Sequence, residues 1–166
     1  MLNFKKHNNN LYNTALNLSR NLFFYKELGL KDTFETRIYL MFIHFSIFMI
    51  IFKKKNSKFD QDSYDNFFHS IENNLRELGF GDVTVNKKMK DFNKILYDIL
   101  LKLDLSKENG KNFLLNMDLI KKYFESLNSK ETSNLSHFVD YINDFFNFCF
   151  ELPLDNMLDK ANNFKY

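Results

Sequence analysis

Apolar positions along the chain recur at helical spacing almost throughout. Tyr64, Phe67, Phe68, Ile71, Leu75 and Leu78 follow one another at steps of 3, 1, 3, 4 and 3. Those steps place them on one face of an amphipathic helix, capped by Asp62 or Ser63 and stopped at Gly79. Val85, Met89, Phe92, Leu96, Ile99 and Leu103 make a second stripe, ending near Asp104. Leu135, Phe138, Val139, Ile142, Phe145 and Phe146 make a third. Leu11, Tyr12, Ala15, Leu16 and Leu18 predict a short first helix, continued over residues 21–28 with Gly29 as a left-handed terminator. Asp32, with Glu35 three residues later, has the capping-box arrangement and opens a long helix that ends near Lys55. Residues 113–124 predict one helix broken near Asp118, or two helices. Pro153 ends the last clear helix, and residues 154–166 are expected to be a short helix or a frayed tail. Residues 1–9 are expected to fray as well. No segment alternates with period two. The pattern predicts an all-α, single compact domain of six to eight helices over residues 1–166.

The most apolar stretch, residues 38–52 (IYLMFIHFSIFMIIF), is closed by Lys53, Lys54 and Lys55. As a helix it rises about 22 Å, short of the ~30 Å hydrocarbon core of a bilayer. A buried core helix is the first reading. A helix lying on a membrane surface with its lysines on lipid phosphates is the second, and a transmembrane span is the third. The opening MLNFKKHNNN is not followed by an apolar stretch, which argues against a secretory signal.

Composition supports the helical reading: one Pro and four Gly in 166 residues leave little punctuation for a many-turned β protein. The single Cys excludes an internal disulfide framework. The 21 Phe, 8 Tyr and no Trp, and the 20 Lys against 3 Arg, look like the product of an AT-rich coding sequence. They are discounted as functional signals, which makes the positions of Arg20, Arg37 and Arg76 worth noting. The formal net charge of +2 divides into +7 over residues 1–58 and −5 over residues 59–166. A basic first third suits RNA, a ribosome or anionic lipid; it equally suits a solvated surface balanced within one fold.

Catalytic patterns are missing from the sequence. His7, His44, His69 and His137 show no metal-ligand spacing, and there is no Gly-rich phosphate loop or nucleophile elbow. Cys149, between Phe148 and Phe150, reads as a buried, inert thiol. His44 is a weak heme-ligand candidate and more readily a hydrogen-bonded core histidine. An enzyme is disfavoured, and no resident cofactor is expected.

Two segments together resemble the ubiquinol–cytochrome c chaperone family, the assembly factors for cytochrome b of the bc1 complex. One contains Leu11-Tyr12, Ser19-Arg20, Phe24-Tyr25, Leu28-Gly29-Leu30, Asp32-Thr33, Arg37 and His44. The other, more specific, contains Asp65, Phe67-Phe68, Asn74-Leu75-Arg76-Glu77-Leu78-Gly79-Phe80-Gly81-Asp82 and Lys87-Lys88-Met89-Lys90. The resemblance runs over roughly residues 10–125. Lys31 stands where the family has a turn proline, Thr36 where it has a glycine, and Leu96-Tyr97-Asp98 where it has Tyr-Gly-Arg.

All three arginines lie inside the resembling segments, where a planar, multidentate guanidinium is not replaced by Lys. The resemblance implies a non-enzymatic chaperone for newly made cytochrome b, of bacterial type and cytoplasmic, working peripherally at the inner face of the membrane. A small helical partner protein and ribosome contact are further expectations. It places client and partner contacts at Arg20, Tyr25, Arg37, Asn74, Arg76, Glu77, Gly79, Asp82, Lys87, Lys88 and Lys90. The alternatives are a small RNA- or ribosome-binding module built on the basic first third and, more weakly, a heme-handling protein.

Overall fold

The computed structural model describes residues 10–105, 107–108, 112–113, 116–128 and 132–166. The expectations for residues 1–9, His7 among them, and for Leu114 and Leu115 lie outside the described residues. The α-helices run α1 Asn10–Ser19, α2 Phe34–Lys54, α3 Gln61–Glu77, α4 Asp82–Leu105, α5 Met117–Tyr123, α6 Thr132–Phe150 and α7 Met157–Ala161. A π-helical turn, Phe23–Glu27, follows α1, and a 3₁₀ turn, Glu125–Asn128, follows α5. Among the described residues the β-structure is one antiparallel pair, β1 Lys107–Glu108 with β2 Asn112–Phe113. The chain is an all-α domain, as the periodicity requires.

α2 is the axis of the domain. Its residues 40–48 are all buried, as are Ile38, Ile50 and Ile51. Helices α1, α4 and α6 pack around it. A helix apolar on every side belongs inside a protein or a bilayer. α2 is long and apolar enough to cross a membrane, yet 67% of its most apolar window is buried by the rest of this chain. Each fully buried Phe, Ile or Leu contributes about 1.5–3 kcal/mol, so this one helix accounts for much of the folding drive.

Three helix starts differ from the expected ones. Thr33, not Asp32, caps α2: its backbone is extended and its Oγ1 accepts from the Thr36 amide at 3.1 Å. Asp32 is one residue too early and bonds Arg37 instead. Asp60 caps α3 in place of Asp62 or Ser63, accepting from the Ser63 amide at 2.9 Å and its hydroxyl at 2.7 Å. α5 begins at Met117 behind an Asn116 cap, so the helix expected over residues 113–124 does not reach Phe113, which sits in β2.

The expected left-handed terminators do form. Gly29 (φ +69°) and Gly79 (φ +92°) adopt positive φ, and the amides of Leu30 and Phe80 reach back to the carbonyls of Phe24 and Leu75.

The C-terminal segment is docked rather than frayed. Phe164 packs its ring 5.6 Å from Tyr141, 5.3 Å from Phe145 and 5.4 Å from Phe148. Tyr166 meets Phe23 and Tyr141 at 4.7 and 5.1 Å. Thr14 of α1 donates to the Leu158 carbonyl at 3.0 Å and accepts from Asn162 at 3.0 Å. Aromatic side chains past Pro153 therefore complete the core over α6.

Candidate functional site

The end of α1, the first turns of α2 and the end of α3 enclose a cleft of about 460 Å³. Leu16, Phe34, Ile38 and Met41 supply its apolar lining, and Tyr12, Arg20, Arg37, Asn74 and Glu77 its polar groups. Leu78, 61% exposed, also lines it. Four of the residues expected from the sequence, Arg20, Arg37, Asn74 and Glu77, thus converge from three helices far apart in the chain. A larger depression of about 650 Å³ beside Lys31, Thr36 and Glu125 contains none of them.

The polar groups are held in different ways. Arg37 grips Asp32 through Nε at 2.6 Å and Nη2 at 2.9 Å, a two-pronged contact that Lys cannot reproduce. The hydrogen bond from Arg37 holds the Asp32 carboxyl below its ordinary range. Tyr25 stands near this pair, and its hydroxyl donates to the Ser19 carbonyl at 2.7 Å. Burial raises the Tyr25 pKa, so it stays a neutral donor. Asn74 donates to the Tyr12 hydroxyl, joining α3 to α1 across the cleft. Arg20 makes no ion pair among the described residues. Its charge faces solvent at the cleft edge, opposite in sign to Glu77.

Beside the cleft, Arg76 closes the α3–α4 turn. It bonds Glu72 at 2.9 Å on its own helix and Asp82 at the first position of α4. The two contacts bridge α3 and α4 across Gly79. The tip beyond it is apolar, with Leu78, Phe80 and Val83 exposed. Lys88 lies 5.0 Å over the Phe80 ring. Lys87 and Lys90 point outward from α4 and do not line the cleft.

His44 sits elsewhere, fully buried between α2 and α6. Its Nδ1 lies 2.7 Å from the Leu40 carbonyl and its Nε2 2.6 Å from the Tyr141 hydroxyl. A carbonyl only accepts, so Nδ1 carries the proton and Nε2 takes the Tyr141 hydrogen. Burial lowers the His44 pKa to about 4, which fixes this neutral form. Both ring nitrogens are engaged, and none is left for iron. Among the described residues no group of His, Cys, Asp and Glu is arranged to hold a metal ion.

Part of the charge in the basic first third is engaged within the fold: among the described residues Lys53 pairs with Asp104, Lys54 lies over the Phe146 ring, Lys55 bonds the Leu152 carbonyl, and Arg37 holds Asp32.

Asp98, where the resembling family has arginine, ties α4 to α5. Partial burial would raise its pKa, but hydrogen bonds from Tyr123, Lys102 and Lys122 outweigh that and hold the carboxyl well below the usual range.

The cleft residues not foreseen as site residues are Tyr12, Leu16, Phe34, Ile38, Met41 and Leu78. Tyr12 was within reach, through the Leu11-Tyr12 step of the resemblance. Phe34, Ile38 and Met41 lie in or beside a run apolar on all sides, where spacing cannot show which residue borders a cleft.

A helical domain whose distinctive polar groups gather around an apolar cleft, with an exposed apolar lip, has the make-up of a binding protein. The chain belongs to the ubiquinol-cytochrome C chaperone family, whose model matches residues 26–164. The match includes Arg37 and every α3–α4 candidate, starts just after Arg20 and Tyr25, and continues through α7. No curated protein and no solved structure gives a significant match.

Proposed function

We propose that this chain is a non-enzymatic chaperone that holds newly made cytochrome b before its assembly into the bc1 complex. Family membership supports the chaperone role and a bc1 component as client. The observation that carries the finer reading is the cleft: an apolar lining reached through half-buried Leu16 and Phe34, an uncommitted Arg20 on its edge, and exposed Leu78 beside it. Such a surface suits an apolar helix with a polar end, which is the form of an unassembled transmembrane segment. The work would be done in the cytoplasm, peripherally at the inner face of the membrane where such a client inserts.

The test is a deletion strain complemented with wild-type, Arg20→Glu or Leu78→Asp chains, followed by native gels for the assembled bc1 complex and by heme b spectra. Loss of the complex on deletion, restored by wild type and not by folded cleft variants, is the expected outcome. Normal bc1 levels in the deletion strain would overturn the reading.

A further inference from the structure

α4 carries a second surface, on the side away from the core. Val85, Phe92, Leu96, Ile99 and Leu103 face inward and are buried. Directly opposite run Val83, Lys87, Lys90, Lys94, Tyr97 and Leu101, all exposed, at steps of 4, 3, 4, 3 and 4. The stripe extends about 27 Å along the helix. Its apolar members are open to solvent, Val83 at 84%, Tyr97 at 59% and Leu101 at 58%. Lys87, Lys90 and Lys94 form no ion pair among the described residues. Packing of this domain therefore uses none of the three apolar side chains fully, and its electrostatics use none of these three ammonium groups.

The alternation of four and three is the seam along which one helix packs nearly parallel to another. At the Leu101 end the seam opens into an apolar groove of about 440 Å³ between α2 and α4, lined by Met49, Ile50, Leu100 and Leu101. That groove can receive one large apolar side chain. We propose that this face of α4 docks a partner helix that is acidic at its centre and apolar at its two ends. The charge order selects this occupant. An apolar transmembrane helix would leave three ammonium groups desolvated without partners. RNA would gain little from Val83 and Leu101, and an anionic bilayer is an outcome the test below reads. A second copy offers Asp140 and Asp144 on α6 and Glu151 just past its end, but the neighbouring outward positions are Ser133, His137 and Asn147, which give Tyr97 and Leu101 no apolar contact. The inference goes beyond the chaperone reading and does not rest on it, since the stripe is separate from the cleft.

The test uses the full chain and a fluorescein-labelled designed helix of about four heptads, with Glu at the central seam positions and Leu at the outer ones. Fluorescence anisotropy should show saturable binding. The triple variant Lys87→Glu, Lys90→Glu, Lys94→Glu should bind at least about tenfold more weakly, with an unchanged circular dichroism spectrum. A Lys-centred version of the helix should reverse the preference and bind the triple variant. Leu101→Ser should weaken binding without altering the charge selectivity.

No saturable binding, or equal binding to parent and triple variant, would overturn the proposal. So would two other results obtained without peptide binding. One is sedimentation with phosphatidylglycerol vesicles, or retention of poly(U), that the triple variant loses. The other is low-salt self-association that the triple variant loses, which would give the face to a second copy.

Discussion

Tyr141 donates its hydroxyl hydrogen to His44 Nε2 across 2.6 Å at the junction of α2 and α6. The imidazole must be neutral to accept it. An unfolded chain takes up a proton at His44 near pH 6.5, whereas the folded chain does so only near pH 4. Acid therefore favours the unfolded state across that window. Stability in urea titrations followed by circular dichroism should hold above about pH 6.5 and decline below it, by about 3 kcal/mol on reaching pH 4. His44→Leu should flatten this decline while lowering stability at neutral pH, because the Tyr141 hydroxyl loses its acceptor. A profile unchanged by the substitution would contradict the assigned protonation.

Thr33 and Asp32 offer a clean contrast at the start of α2. Thr33→Ala removes the side-chain acceptor for the Thr36 amide and should cost about 1 kcal/mol in thermal or urea unfolding. Asp32→Ala loses an exposed partner of Arg37 and should cost less. The reverse order would restore Asp32 as the cap.

Phe164 should matter although it lies near the end of the chain. Phe164→Ala strips ring contacts from Tyr141, Phe145 and Phe148 and should destabilise the domain by about 1–2 kcal/mol. Removing residues 163–166 should cost more, since Tyr166 leaves with it. Unfolding curves that overlay the wild type would mean the segment is not docked in solution.

Cys149 is buried and its thiol is pushed up to about 12 by burial. A disulfide reagent at pH 8 should label the folded protein slowly and the urea-unfolded protein within seconds, because only the thiolate attacks. Rapid labelling under native conditions would show that α6 opens locally.

Helix number and type were legible in the sequence because the apolar stripes of α3, α4 and α6 keep one period over several turns. Caps were less legible: Asp32 and Thr33 are adjacent and both suit the position, and only the backbone decides which one turns extended. The docked C-terminus was hidden because two aromatic residues among Asn, Lys and Asp leave no periodic trace. At the site, the arginines stood out against a lysine-rich background, and Arg37 and Arg76 indeed make multidentate contacts. The cleft lining could not be read. Which side of α2 borders solvent depends on α1 and α3, which are distant in the sequence.

The buried axis has a consequence for the order of events during synthesis. α2 leaves the ribosome roughly 80 residues before α6, which covers one of its sides, is made. At about 5–20 residues per second the delay lasts several seconds. During that time α2 offers the cell a segment long and apolar enough to be mistaken for a membrane span. The Asp104, Phe146 and Phe150 partners of Lys53 and Lys54 are likewise made only later. The nascent chain thus passes through a stage in which it displays the same kind of exposed apolar helix as the client proposed for it.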